Sequence, residues 1–268
     1  MVLQKLSLRF YQRMKMPKIL TFIGNGNMAL SLAQGLKKDY TIEVVGRSML
    51  RLEAFEEALG LTCKKYLLED FDISQRNIIF CVKPANVEEV GKKLQGSAEV
   101  LYSVLAGTSL EKLSQNIQAS HYIRAMPNLG ASVLKSMTTL TGSLTCKQEA
   151  LDIFNAIGAS LWVNSEKELN IATALAGSGP AYLALIAEAL ADGAVKQGLK
   201  REDALTLMRG LFDGFASLIQ DIHPALLKDA VMSPGGTTAA GYGALEKASV
   251  RNGVMNAVEE AYKRTFSL

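Results

Sequence analysis

The chain has 268 residues, 49% hydrophobic and 21% charged, enough for one large domain or two modest ones, each with its own core. Its net charge of +3 is spread without a dense Lys/Arg stripe or interleaved aromatics, which argues against a nucleic-acid partner. No apolar run reaches the roughly 18 uninterrupted residues of a membrane span, and three distant cysteines, Cys63, Cys81 and Cys146, argue for a reducing compartment and against a disulfide framework or a metal site.

Residues 1–17, MVLQKLSLRFYQRMKMP, carry Lys5, Arg9, Arg13 and Lys15, and no acid precedes Asp39. The segment is poor in serine and lacks a secretory apolar core, so it reads as an N-terminal extension or an early start ahead of Met14 or Met16, with a basic targeting leader as the alternative. From Lys18 onward, short apolar runs alternate with helical periods. KILTFI, TIEVVG, NIIFCV and VLYSVL are strand-like; MALSLAQGLKK, MLRLEAFEEAL, VEEVGKKL and SLEKLSQNI are helical. This alternation predicts an α/β, Rossmann-like, doubly wound parallel sheet over 18–165. MTTLTGS and SLWVN flank the helical KQEALDIFNAIG and are expected to complete the sheet edge, with mixed orientation allowed. Over 166–268 the pattern becomes helical, rich in alanine and glycine, and broken at AGSGP, DIHP and SPGG. It predicts an all-α domain whose small-residue faces bury against each other and against a second subunit.

The turn FIGNGNMA joins the first strand to the first helix. Gly24, Gly26 and Ala29 suit a dinucleotide-binding turn, with the N–H groups from Asn25 through Asn27 to Met28 aimed at a pyrophosphate at a helix N-terminus. At the end of the second strand, where an acidic residue would take a ribose 2′-hydroxyl, stand Arg47 and Ser48. Glu43 lies mid-strand and is expected to miss the ribose. A guanidinium beside a hydroxyl suits a 2′-phosphate, so NADPH is the expected cofactor, with NADH left open. Conventional acid/base candidates are scarce: His121 and His223 stand in no relay or zinc pattern and read as structural. In the helical half, AGSGPAY places Pro180 to start a helix capped by Ser178 or Gly179. SPGGTT leads into a helix near Thr237, where backbone N–H groups and the hydroxyls of Ser233, Thr237 and Thr238 suit a carboxylate.

FIGNGNMA, CVKP, IRAMPN, AGSGPAY with EALADGAVKQGL, and HPALLKDAVMSPGGTT followed by ALE together resemble the pyrroline-5-carboxylate reductase family, from about Met16 to the C-terminus. The resemblance implies a Rossmann domain, a helical dimerisation domain, and dimers that often assemble into larger rings, with the oligomer size left open, in a cytoplasmic enzyme of proline biosynthesis. It implies reduction of 1-pyrroline-5-carboxylate to L-proline by NADPH or NADH. Carried over by position, Gly24, Asn25, Gly26, Asn27 and Met28 hold the pyrophosphate, and Arg47 with Ser48 the adenosine end. Lys83-Pro84, Ala106-Gly107 and Met126-Pro127-Asn128 form loops near the nicotinamide. Ser178, Ser233, Gly236, Thr237 and Thr238 receive the substrate, with the Thr238 hydroxyl by the ring nitrogen as the catalytic group. Two departures stand out: Leu129-Gly130 replaces a common Thr-Pro, and Ala176 replaces a common serine. Rival expectations are a β-hydroxyacid dehydrogenase, for which Lys196 is the nearest proton-handling candidate, a non-enzymatic NADPH sensor, and a reductase of six-membered cyclic imines.

Overall fold

A computed structural model describes residues 18–69 and 71–267; the basic segment 1–17 lies outside them. The described residues form two compact units, 18–177 with 262–267, and 178–261.

The first unit is built on β1 (Ile19–Ile23), β2 (Thr41–Gly46), β3 (Lys64–Leu67), β4 (Phe71–Asp72), β5 (Asn77–Phe80), β6 (Leu94–Gln95), β7 (Ala98–Ser103), β8 (Ala119–Met126), β9 (Ser136–Gly142) and β10 (Gly158–Trp162). Eight of these make one sheet in the order β10-β9-β8-β7-β5-β1-β2-β3, while β4 and β6 pair separately. All neighbours in the large sheet are parallel except β8 and β9, so the sheet edge is mixed. Its helices are α1 (Asn27–Leu36), α2 (Met49–Leu59), α3 (Val87–Gly91), α4 (Leu110–Asn116), α5 (Lys147–Asn155) and α6 (Glu166–Ala172), the last followed by a π turn over Thr173–Gly177.

Strand residues alternate between two cores, one on each face of the sheet. Leu20, Phe22, Val44 and Ile79 pack with Leu32 of α1, Leu52 of α2 and Phe154 of α5. Ile23, Val45, Ile78 and Phe80 pack with Val87 and Val90 of α3 and Leu113 of α4. Because both faces are covered, the central strands are apolar runs rather than alternating ones, which is why they are legible in the sequence. The three cysteines carry free thiols, with Cys63 and Cys146 buried in the first core.

Two strands of the large sheet, β3 and β8, do not stand out in the sequence. In β8 the pattern is broken by His121 and by Arg124, a guanidinium only 2% exposed. Tertiary contacts provide for it: Arg124 Nη1 donates to Glu166 Oε1 at 2.8 Å and Nη2 to Asn170 Oδ1 at 3.2 Å, both on α6.

The second unit contains α7 (Gly179–Lys196), α8 (Arg201–Leu218), α9 (Pro224–Val231), α10 (Thr237–Lys247) and most of α11 (Val250–Arg264). The sequence predicts a domain boundary near 165; by packing, 166–177 lie with the first compact unit. The reason is the bonding of Glu166 and Asn170 to Arg124, together with the Asn128 amide, which donates to the Ala176 carbonyl at 2.9 Å. One correction concerns AGSGP, expected as a break. The chain stays helical through the π turn, and Glu166–Lys196 is long and apolar enough, by length and composition alone, to cross a membrane.

Candidate functional site

The strand order reverses at β1, which has β2 on one side and β5 on the other, and ligands of open α/β sheets bind outside the carboxyl ends of the strands at such a point. Gly24 follows β1 there, with φ of +106°; a Cβ on it would lie 2.6 Å from the Cys81 carbonyl oxygen just beyond β5. Only glycine reconciles that backbone with that approach. Its N–H donates to Val45 O on β2 at 2.9 Å, so the turn is fastened on both sides. Gly26 is the N-cap of α1 with extended backbone and no side-chain cap, and a Cβ there would meet nothing within 4 Å. The first N–H groups of α1 therefore face open space, an anion cradle without a protein occupant.

A groove of about 650 Å³ runs over this turn, and Gly24, Asn25, Gly26, Asn27, Arg47 and Lys83 all line it. Met28, Ser48 and Pro84 flank lining residues without forming its wall. Ser48 is the N-cap of α2, but its hydroxyl makes no cap bond and so stays available. Glu43 points away from the groove, as its mid-strand position suggests. It is 1% exposed, accepts from Thr21 Oγ1 at 3.2 Å and pairs with Arg76 Nη1 at 2.5 Å. No acidic residue lines the groove at the end of β2, where a 2′-hydroxyl would need one.

Arg51 and Asn86, which no motif singles out, share this wall. Arg51 had a signal, since it stands four residues after Arg47, and the Asn25 amide of the glycine turn donates to its carbonyl at 3.0 Å. Asn86 had none, because its place depends on β5 lying beside β1.

Ala106, Gly107 and Asn128 are outside the groove wall but at the carboxyl ends of β7 and β8, the next strands along the sheet. Ala106-Gly107 is a turn with Gly107 at φ of +66°. Asn128 is held at both ends of its amide, accepting from Gly130 N at 2.9 Å and donating to Ala176 O. Met126 ends β8, Pro127 follows, and Leu129–Val133 forms a 3₁₀ turn. The departure at Ala176 costs nothing in this contact, since the contact uses the carbonyl.

In the helical unit, α10 begins at Thr237 with Gly236 as N-cap. Ser233-Pro234-Gly235-Gly236 is a tight turn closed by Gly236 N to Ser233 O at 3.0 Å, with Gly235 at φ of +72°. A side chain at Gly236 would strike Ser233 Oγ. The hydroxyls of Ser233, Thr237 and Thr238 have no hydrogen-bond partner among the described residues, and no side chain caps α10. The helix start therefore holds unspent donors, the condition for receiving a carboxylate. Ser178 sits before α7 with helical backbone and no cap bond, because the preceding π turn continues into that helix; the expected side-chain cap is not made. His223 is spent structurally, its Nδ1 accepting from Ala225 N at 3.2 Å at the start of α9. Lys196 lies in the last turn of α7, where its charge complements the helix dipole.

Comparison with known proteins covers both units. The family model for pyrroline-5-carboxylate reductase dimerisation matches residues 166–268, and that for NADP oxidoreductase, coenzyme F420-dependent, matches 19–107. A pyrroline-5-carboxylate reductase of Pisum sativum is 38% identical over 264 residues, 93% of this chain and 95% of that protein. The chain belongs to the pyrroline-5-carboxylate reductase family. Among solved structures, the pyrroline-5-carboxylate reductase of Streptococcus pyogenes superposes with a TM-score of 0.82 at 32% identity, covering 93% of this chain and 98% of that one. The Plasmodium falciparum pyrroline carboxylate reductase, solved with NADP bound, has a TM-score of 0.77 at 29% identity, with the same coverage. The family's dimerisation segment starts at Glu166, while the compact helical unit starts at Ser178. The short stretch between them belongs to the family segment by sequence and to the first unit by packing.

Proposed function

We propose that this chain reduces 1-pyrroline-5-carboxylate to L-proline with NADPH, the last step of proline biosynthesis, as a homodimer joined through its helical unit. The observation that carries the reading is the coincidence of a chain-long family match with the unspent cradle at Gly24–Asn27, set at the reversal of the strand order. The NADP in the Plasmodium falciparum relative and the guanidinium rather than carboxylate at the end of β2 both favour NADPH.

The residue roles follow from what each position has to offer. The N–H groups from Asn25 through Asn27 to Met28 take the pyrophosphate; Arg47 and Ser48, joined by Arg51, take the 2′-phosphate. From there a dinucleotide runs along the carboxyl ends of β5, β7 and β8, past Lys83-Pro84, Ala106-Gly107 and Asn128. The bound cofactor supplies a hydride. Ser233, Gly236 and Thr237, with Ser178, hold the substrate carboxylate, and Thr238 Oγ1 orients the imine nitrogen and helps retain its proton. A protonated carbon–nitrogen double bond is already electrophilic, so no strong protein acid is required, in keeping with the scarcity of such groups in the sequence. The protein's contribution is orientation, which in general is worth about 7–11 kcal/mol, reinforced by fixed dipoles at the α10 start.

Dimerisation accounts for the apolar surface of the helical unit. Leu183, Leu185, Leu207, Leu211, Leu226 and Met255 are each more than half exposed in the single chain. Exposed apolar side chains in this number suit an interaction face, and the long apolar helix Glu166–Lys196 lies in the family's dimerisation segment. The three free thiols accord with a cytoplasmic location. The test is loss of NADPH absorbance with 1-pyrroline-5-carboxylate, its six-membered analogue and a 3-oxo acid at matched concentrations. Fastest consumption of the five-membered imine with appearance of proline supports the reading. NADPH binding without turnover of any of the three replaces it with a sensor.

A further inference from the structure

Arg47 is not idle. Its Nη1 lies 3.7 Å from Glu89 Oε1, with both side chains about half exposed. Glu89 is on α3, between Asn86 and Val90, and those two residues and Arg47 line the same groove. The ion pair therefore links the turn after β2 to the helix after β5, beside the wall of the groove at its β2 end. A 2′-phosphate entering there meets a guanidinium that already has an anionic partner.

We infer that Glu89 is a specificity-setting residue that competes with the 2′-phosphate of NADPH for Arg47 and so holds down the preference for NADPH over NADH. The inference rests on the reading of Arg47 as the phosphate's partner. The physical basis is that two anions cannot share one guanidinium without mutual repulsion, whereas a ribose 2′-hydroxyl carries no charge and leaves the pair in place. The carboxylate is dispensable to the fold. Its other neighbour, Lys93 at 3.6 Å, keeps a closer partner in Glu69 at 2.9 Å.

The experiment compares kcat/KM for NADPH and NADH, with 1-pyrroline-5-carboxylate saturating, in wild type, Glu89→Gln, Arg47→Ala and the double variant. Exposed ion pairs are weak, so Glu89→Gln is expected to raise the NADPH/NADH ratio by about two- to fivefold, with the gain shrinking at high salt. In the Arg47→Ala background the same substitution is expected to leave the ratio unmoved. An unchanged ratio in Glu89→Gln, or a gain that persists in full without Arg47, overturns the competition while leaving the phosphate role of Arg47 standing. If Arg47→Ala weakens both cofactors equally, the role of Arg47 itself fails and the inference falls with it.

Discussion

A single carboxylate oxygen, Glu166 Oε1, accepts from Arg124 Nη1 at 2.8 Å and from the Leu110 backbone N–H at 2.9 Å. The first turn of α6 is thereby tied to mid-β8 and to the start of α4, immediately after the turn at Ala106-Gly107.

Removing that carboxylate strands a buried charge. Breaking a buried pair from one side costs about 3–5 kcal/mol, and because the Glu166 side chain is 34% exposed, Glu166→Ala is expected near the lower end, about 3 kcal/mol. Adding Arg124→Met to Glu166→Ala is expected to recover most of the loss. Urea unfolding of the single and double variants checks this; a double variant as unstable as the single would show that the backbone bond to Leu110 carries the effect.

Gly24 and Gly26 are expected to respond differently to alanine. Gly24→Ala puts a Cβ 2.6 Å from a carbonyl oxygen at φ of +106°, and both thermal stability and NADPH binding should fall. Gly26→Ala meets open space, so the melting temperature should stay near wild type while the methyl blocks the pyrophosphate. Loss of one charge-assisted contact predicts NADPH affinity lower by about ten- to a hundredfold. Thermal unfolding alongside a cofactor titration separates the two cases.

Thr238→Ala removes a hydroxyl that makes no bond within the described chain, so stability should hold. Turnover is expected to fall by about ten- to a hundredfold, the worth of a hydrogen bond to a charged group, with NADPH affinity kept. Thr238→Ser should restore most of it. Unaltered kcat and substrate KM in the alanine variant would remove Thr238 from the mechanism.

Burial pushes the thiol pKa of Cys63, Cys81 and Cys146 above the usual cysteine value. A raised pKa means less thiolate, the form that reacts, at any pH below it. Native protein at mildly alkaline pH should therefore resist alkylation at all three, and denaturant should release them together. Peptide mass mapping after iodoacetamide reads this directly; fast labelling of native Cys81 on the groove wall would contradict it.

The glycine turn, the doubly wound core and the helix starting at Thr237 were legible in the chain because each is a local pattern. An apolar run, a period of helix, or a glycine where backbone must come close is written in adjacent residues. Arg47 and Ser48 belong with these, since their place follows from counting to the end of a strand. β8 was not legible, because the polar Arg124 in its middle is admitted by partners on α6, some forty residues further along. The helical passage through AGSGP was hidden for a related reason: glycine and proline signal a break locally, yet the π turn is held by the Asn128 amide on Ala176. The facing of Glu89 and Arg47 has no sequence signature at all. Composition and periodicity decide which residues are buried and in what kind of element. Only tertiary structure decides which charges meet, because that depends on strand order, and strand order brings together residues the chain keeps apart.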